Sequence, residues 1–459
     1  MVTLQRPAVL CLAARRVRLP VRWMIVAGVI ACVVLLASNF IADPVLARAA
    51  VIAGVCLTLW LGEAVPTFVP TLVLWALTPL LLGSFGTQYR LASVLGWSAD
   101  PVLALFLGGF TLSVAANRYG LDEQLARMAV RLARGNRASL LILTATATAV
   151  LSMWISNIAA AAMMIAAMHP LLAGAPRDDS FRRALLVGIA LGANFGGIAT
   201  PIGTGPNAIA IAAVSRTHTV TFLDWMVFAF PLAFALLAAG VLFLIFRFRV
   251  RGGTEALQLP EGARRPGARG VLLVFLLTVV AWLTEPLHGA PASIVALLAT
   301  IALFASGLLE KHDLARIDWA TLVLIAGGIG LGNLLEQTGA VSAAASVVPW
   351  EHTPSAAGVF LLCFASALLS ALMSNTAAAT MLIPLAASLD PSPSTAILIA
   401  VAASLGIPFV ISTPPNAMVF GEGGVRMSDL LVPGLLLMLG GCLVVSLTGR
   451  FVLNLLGIP

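Results

Sequence analysis

Leu369-Ser-Ala-Leu-Met-Ser-Asn-Thr-Ala-Ala-Ala-Thr-Met-Leu-Ile-Pro384 would read as one uninterrupted apolar helix but for three consecutive polar residues, Ser374, Asn375 and Thr376. Further on, Ile411-Ser-Thr-Pro-Pro-Asn416 interrupts a second apolar segment. The same pair occurs earlier in the chain. Ser156-Asn157-Ile158 lies inside Trp154–Met168, and Thr200-Pro-Ile-Gly-Thr-Gly-Pro-Asn207 follows it. Polar breaks placed correspondingly in two halves of a hydrophobic chain point to the ligand site of a membrane carrier.

The composition sets the solvent. Of 459 residues 60% are hydrophobic and 10% charged, with mean hydropathy +1.03. A soluble domain carries about 25% charged residues. This set cannot cover a water-exposed surface, so the expected fold is an all-α polytopic membrane protein embedded in a lipid bilayer. The pI of 9.9 does not imply a nucleic-acid partner, because the basic residues sort by membrane side. Cys11, Cys32, Cys56, Cys363 and Cys442 are scattered without a CxxC, which favours neither a disulfide nor a metal site.

Spans are expected at 23–41, 46–61, 68–84 and 100–117. Arg6, Arg15, Arg16, Arg18 and Arg22 precede the first apolar run and read as an orientation signal, not a cleavable leader. Residues 118–137 change character. Leu121, Leu125, Met128 and Leu132 share one helical face and Arg127, Arg131 and Arg134 another, the pattern of an interfacial helix. Residues 138–172 run to the polar tip at Ser156-Asn157 and end again in basic residues, so both ends lie on one side and the unit is a re-entrant hairpin. Such backbone survives in a bilayer only when buried in protein or lining a cavity. A broken helix (184–215), a span (222–246), a basic loop (247–269), spans at 270–284 and 291–309, and a span at 320–336 follow.

The second half mirrors the first. Phe106-Leu-Gly-Gly-Phe-Thr-Leu112 answers Ile325-Ala-Gly-Gly-Ile-Gly-Leu331, Gly120 answers Gly339, Ser156-Asn157 answers Ser374-Asn375, and Asn207 answers Asn416. The offsets are 219, 219, 218 and 209. This is an internal repeat, with a second hairpin at 354–389, a second broken helix at 394–423 and a last span at 429–453. The domain plan is therefore 1–22 cytoplasmic, 23–99 three helices, 100–246 repeat one, 247–269 a cytoplasmic loop, 270–319 two helices and 320–459 repeat two. With a cytoplasmic N-terminus, 22 of the 26 Lys and Arg fall inside, and only Arg48, Arg90, Arg216 and Arg450 fall outside. The positive-inside rule then gives eleven spans plus two hairpins, with the C-terminus outside. Span 100–117 runs inward and 320–336 outward, so the repeats have inverted topology and the hairpins enter from opposite faces.

Each hairpin tip ends one helix and starts another, offering carbonyls that suit a hard cation and N–H groups that suit an anion. Ser152 and Ser156, like Ser370 and Ser374, lie four apart on one helical face leading to a tip. A lone Ser in an apolar helix usually bonds back to its own carbonyls; two matching pairs, each ending in Ser-Asn, favour a site. No Asp, Arg or Lys lies deep in any span. A buried dianion needs charge compensation, and co-bound cations supply it where a proton relay would need an intramembrane carboxylate. Glu63, Glu285 and His169 lie near segment ends and read as structural.

Gly62-Glu-Ala-Val-Pro-Thr-Phe-Val-Pro-Thr-Leu72, Leu107-Gly-Gly-Phe110, Thr284-Glu-Pro-Leu-His-Gly289, and Asp318-Trp319 followed by Gly327-Gly328 complete a pattern. Together with both Ser-Asn tips and both Pro-Asn breaks, and in this order, they resemble the divalent anion/sodium symporter (DASS) family of the ion transporter superfamily, which includes bacterial di- and tricarboxylate transporters. The resemblance covers nearly the whole chain. It implies an elevator-type homodimer in the bacterial inner membrane, with scaffold helices in 23–99 and 270–319 and a moving transport domain. It implies a small anionic substrate and no cofactor beyond Na+ as coupling ion. One sodium site would use Ser152, Ser156, Asn157 and Gly203, and the other Ser370, Asn375 and main chain near Met373 and Ser412. Substrate carboxylates would meet Asn157, Ser374, Asn375, Thr376, Thr413 and Pro414. Two positions depart from the family pattern. Ile158 replaces the Thr of Ser-Asn-Thr, removing a hydroxyl and adding an apolar wall to the pocket, and Gly205 replaces the first of two prolines.

The expected function is Na+-coupled symport of a di- or tricarboxylate. The alternative is an anion exchanger, or a H+- or Na+-coupled carrier of sulfate, a sulfonate or a bulkier carboxylate. An ion antiporter or metalloid exporter would want an intramembrane Asp, and an enzyme would want a His-Glu-x-x-His, a Gly-x-Ser-x-Gly or paired acids in the spans; the sequence offers neither motif, and the spans carry no deep Asp and no paired acids.

Overall fold

The computed structural model describes residues 8–62, 65–215, 217–253, 265–340, 343, 356–389 and 392–459. Glu63 therefore lies outside the described residues, as do 254–264 of the basic loop 247–269 and the start of the second hairpin unit. Regular structure among the described residues is helical, apart from an isolated bridge between Asn136 and Gly253. Among the described residues six helices are long and apolar enough to cross a membrane: Trp23–Phe40, Pro101–Arg118, Asn157–Gly174, Phe222–Arg247, Trp319–Gln337 and Met427–Leu455. The first belongs to a helix that begins earlier, at Ala8. Other apolar helices are shorter, among them Pro44–Trp60, Val69–Leu82, Ala268–Leu283 and Ala292–Ala305.

Polar caps set the boundaries. Asp100 accepts from Val102 N (2.8 Å) with Pro101 in the first turn. Asn136 accepts from Ser139 N and Asp318 from Thr321 N, at 2.9 and 3.0 Å. Each satisfies one of the N–H groups that a helix start leaves unpaired. Gly120, in the left-handed region at φ 66°, turns the chain from Pro101–Arg118 into the amphipathic helix Leu121–Ala133.

The helices pack as two bodies. The large one holds Leu121–Ala133, the helix pair Arg137–Ser152 and Asn157–Gly174, the broken helix Ser180–Ile198 and Gly205–Val214, and Phe222–Arg247. It also holds their second-half counterparts: the pair Ala356–Leu372 and Asn375–Leu389, the broken helix Pro393–Ser404 and Pro414–Gly421, and Met427–Leu455. The flanking body gathers Pro44–Gly62, Val69–Leu82, Pro101–Arg118, Ala268–Leu283, Ala292–Ala305 and Trp319–Gln337 around two smaller clusters. Packing thus cuts across the sequence repeats: the first helix of each repeat belongs to the flanking body.

Close approach relies on small residues, as expected where lipid supplies no hydrophobic drive between helices. A Cβ at Gly192 would lie 2.3 Å from Ala145 O, and one at Gly196 would lie 2.2 Å from Ala149 O. In the second half, a Cβ at Gly406 would lie 2.6 Å from Ala367 O.

Charges counted in loops prove partly structural. Arg182 and Arg183 sit in the first turn of Ser180–Ile198 and are buried. Arg182 donates to Leu172 O (3.1 Å), Glu422 O (2.9 Å) and Gly423 O. Arg183 pairs with the fully buried Asp429, Nε to Oδ2 at 2.8 Å. The reason is local: helix ends leave carbonyls without donors, and a guanidinium supplies several at once.

Candidate functional site

Ser152 closes the first helix of the first pair and Asn157 opens the second. Ser152 Oγ lies 2.8 Å from Asn157 Oδ1 and 2.6 Å from Ala193 O. One hydroxyl proton can serve only one of these acceptors. Gly203 O lies nearby, because a Cβ at Gly197 would lie 2.5 Å from Asn157 Oδ1 and 3.0 Å from Gly203 O. Three oxygens, Ser152 Oγ, Asn157 Oδ1 and Ala193 O, thus converge on one hydroxyl proton, a donor set suited to a hard cation. Ser156 is different: its Oγ accepts from Ala159 N at 3.2 Å, as the cap of Asn157–Gly174.

The second half repeats the motif. Ser370 Oγ lies 2.8 Å from Asn375 Oδ1, the same distance as in the first pair. Ser412 Oγ donates to Ala371 O (2.8 Å) and accepts from Phe409 N (2.9 Å). Met373 is buried at the turn and its N–H donates to Ser370 O at 3.3 Å. Thr413 is buried, and its hydroxyl accepts from Asn416 N at 3.4 Å as a cap. Thr204, its first-half counterpart, makes no such cap.

Each break stands against the opposite repeat. Pro414–Gly421 packs on Asn157–Gly174, and Gly205–Val214 packs on Asn375–Leu389. A Cβ at Gly205 would lie 2.3 Å from Thr376 Oγ1. Ser374, Asn375, Thr376 and Asn157 are partly exposed, Pro414 is exposed, and Ile158 keeps 50% of its surface open. The tips and breaks named from sequence are therefore brought together in one region.

The asparagines of the two Pro-Asn breaks hold the backbone open. Asn207 Nδ2 donates to Gly197 O (3.1 Å) and Thr200 O (2.7 Å). Asn416 Nδ2 donates to Ile407 O (2.8 Å) and Phe409 O (2.9 Å). These carbonyls are those a broken helix would otherwise leave without donors. Sequence reasoning missed three participants. Ala193 contributes only main chain. Thr200 donates to Met153 O at 2.5 Å. Asn194 Nδ2 donates to Asn416 Oδ1 at 3.1 Å, crossing between the repeats; an Asn in the otherwise apolar run Ala184–Ile198 was the available signal.

Glu285 Oε2 accepts from Phe222 N at 3.3 Å, and His169 is exposed at a helix foot. Among the described residues Cys32, Cys56, Cys363 and Cys442 are free. At one end of the flanking body Asp313 is fully buried beside Arg118. Burial pushes its carboxyl upward, but the Glu310 N–H (2.9 Å) and the Arg118 guanidinium outweigh this and hold it below the usual range.

Helices, apolar spans and a duplicated, charge-poor polar centre among the described residues are the build of a multi-pass membrane transporter. A family model described as "Citrate transporter" matches residues 57–398, so the chain belongs to the citrate transporter family. An "Uncharacterized transporter" of Haemophilus influenzae is 32% identical over 422 residues, covering 85% of this chain and 88% of that one. The "Sodium-dependent dicarboxylate transporter SdcS" of Staphylococcus aureus is 28% identical over 447 residues, covering 86% and 84%. The fold also resembles the YdaH transporter of Alcanivorax borkumensis, with TM-score 0.58 and 16% identity over 84% of this chain and 98% of that one.

Proposed function

We propose that the chain is a Na+-coupled symporter of a divalent organic anion in the bacterial inner membrane. The carrying observation is the doubled Ser–Asn pair, Ser152–Asn157 and Ser370–Asn375, each at 2.8 Å. Cations at these two tips would neutralise a dianion held by Asn157, Ser374, Asn375, Thr376, Thr413 and Pro414. Hydroxyls, amides and main-chain groups alone would otherwise have to carry the cost of burying two negative charges, several kcal/mol each. The name of the Staphylococcus relative supports both the cation and the anion class.

In this reading the large body is the transport domain and the flanking body the scaffold of an elevator, with the two helix pairs as re-entrant hairpins. Gly205–Val214 and Asn375–Leu389 pack against Trp319–Gln337, while Ile158 and Ile411 are exposed.

Ile158 favours a second reading within the same class: a ligand with one strongly anionic group and a bulkier or less polar side. Uptake of labelled succinate, malate, citrate and sulfate into proteoliposomes, with and without an inward sodium gradient, tests both. Sodium-driven accumulation of a carboxylate is expected. Uptake that follows only a pH gradient refutes the ion assignment.

A further inference from the structure

The two Ser–Asn pairs are joined through the interior of the large body. Ser152 Oγ lies 2.6 Å from Ala193 O, and the side chain of the next residue, Asn194, donates to Asn416 Oδ1 at 3.1 Å. Asn416 carries the contact on, its Nδ2 donating to Phe409 O at 2.9 Å. Phe409 N donates to Ser412 Oγ at 2.9 Å, and Ser412 Oγ donates to Ala371 O at 2.8 Å. Ala371 follows Ser370, whose Oγ lies 2.8 Å from Asn375 Oδ1. One line of hydrogen bonds therefore runs from the first tip to the second, and it changes repeats at Asn194–Asn416.

The line is stiff. Ser152, Asn194, Asn416, Ser412 and Ser370 are all buried. A polar group that loses its partner there has no water to replace it, so breaking one link costs more than the bond is worth in water. Every donor points from the first tip toward the second, an arrangement in which neighbouring bonds polarise one another. The far end is tightly packed as well: a Cβ at Gly406 would lie 2.7 Å from Ala371 N and 2.9 Å from Ser370 C.

The Ser152 proton links the line to a cation. It has two acceptors, Asn157 Oδ1 at 2.8 Å and Ala193 O at 2.6 Å. A cation held by Ser152 Oγ and Asn157 Oδ1 repels the proton from the space between them and turns it to Ala193 O. That fixes the peptide unit from which Asn194 reaches across to Asn416.

We propose that Asn194 is a positioning residue that couples the two tips, so that a cation at one raises the affinity of the other. This rests on the two-cation reading above. Asn194 touches neither cation. It acts through Asn416, which holds Phe409 and, through Phe409, the Ser412–Ala371 contact beside Ser370. Coupling of this kind is reciprocal: each tip strengthens the other by the same factor.

The test uses purified full-length protein in neutral detergent. Its thermal midpoint is followed as sodium chloride replaces choline chloride at constant ionic strength. Wild type should be protected by sodium with a Hill coefficient above one. Asn194→Leu, close to Asn in shape but without the donor, should weaken the apparent sodium affinity about fivefold, the scale of one neutral hydrogen bond, and bring the Hill coefficient toward one. Asn194→Gln, which keeps the amide, should retain more of the steepness than Asn194→Leu. If Asn194→Leu does not fold, Asn194→Ser takes its place. Ser152→Ala and Ser370→Ala complete a cycle. In wild type their combined loss of sodium affinity should be smaller than the product of the two single losses, and in the Asn194→Leu background the losses should multiply. An Asn194→Leu protein that is less stable at every sodium concentration yet titrates as steeply as wild type has lost only structure, and overturns this inference alone. A wild type with no response to sodium over choline overturns it together with the cation reading.

Discussion

Replacing Gly205 by Ala tests how the two repeats meet at the ligand. The added Cβ would stand 2.3 Å from Thr376 Oγ1, 2.6 Å from its Cγ2 and 3.0 Å from its Cβ. Ordinary contact begins near 3.4 Å, so the intrusion exceeds an ångström. Rotating Thr376 about χ1 exchanges one branch for the other and relieves little, because both branches and the Cβ itself are crowded. Either Thr376 is displaced or the start of Gly205–Val214 moves away from Asn375–Leu389. Overpacking of this kind costs about 1–3 kcal/mol, which corresponds to roughly five- to 150-fold in an equilibrium constant. In proteoliposomes Gly205→Ala should raise the substrate concentration for half-maximal uptake within that range. Thr376→Ala alone should also cost affinity, by the loss of one hydrogen bond, about 1 kcal/mol. The pair should be non-additive: in Gly205→Ala/Thr376→Ala the clash is gone, and the double variant should resemble Thr376→Ala alone. Additive losses, or a Gly205→Ala protein indistinguishable from wild type, would falsify the claim that these residues press together at the site.

Three further outcomes are expected. Ser152→Ala and Ser370→Ala each remove a hydroxyl beside an Asn Oδ1 and should raise the sodium concentration for half-maximal uptake several-fold, with Ser156→Ala, which loses a cap, acting mainly on thermal stability. Ile158→Thr should shift relative uptake several-fold toward succinate or malate, about one hydrogen bond's worth; an unchanged substrate ranking means that residue 158 does not face the ligand. Because Asp313 has a lowered carboxyl pKa, its contribution to stability is present above the ordinary carboxylate value, about 3.9, and is lost as pH falls through the lower folded value. Asp313→Asn should therefore lower the thermal midpoint at neutral pH and flatten its dependence on acidification, read by unfolding in detergent.

What was legible in the sequence was the local grammar. Polar triplets inside apolar runs, with Pro and Asn beyond them, marked where helices would stop, and the chain does stop at Ser152 and Leu372 and restart at Asn157 and Asn375. The equal spacing of the two Ser-Asn tips carried over into equal Ser–Asn distances. The job of each polar atom was not legible. Ser152 and Ser156 are equivalent on a helical wheel, yet one joins a cluster of oxygens and the other caps a helix, a difference set by which neighbour supplies the nearest N–H. Contacts that cross the repeats, such as Gly205 with Thr376 and Asn194 with Asn416, join residues far apart in the chain whose spacing carries no periodic signal. Arg182 and Arg183 counted only as loop charges, because sequence counts charges without showing which carbonyls or carboxylates wait for them.

The bond from Asn194 to Asn416 has a consequence beyond the site. The repeat offset at the breaks places Ala403 where Asn194 has its counterpart, so Asn207 Oδ1 is left buried without a donor while Asn416 Oδ1 has one. One break is thus fully satisfied and its twin is short by about one hydrogen bond, about 1 kcal/mol. The duplicated halves are copies in outline and unequal in strength, and the half holding Asn207 is the one expected to loosen first.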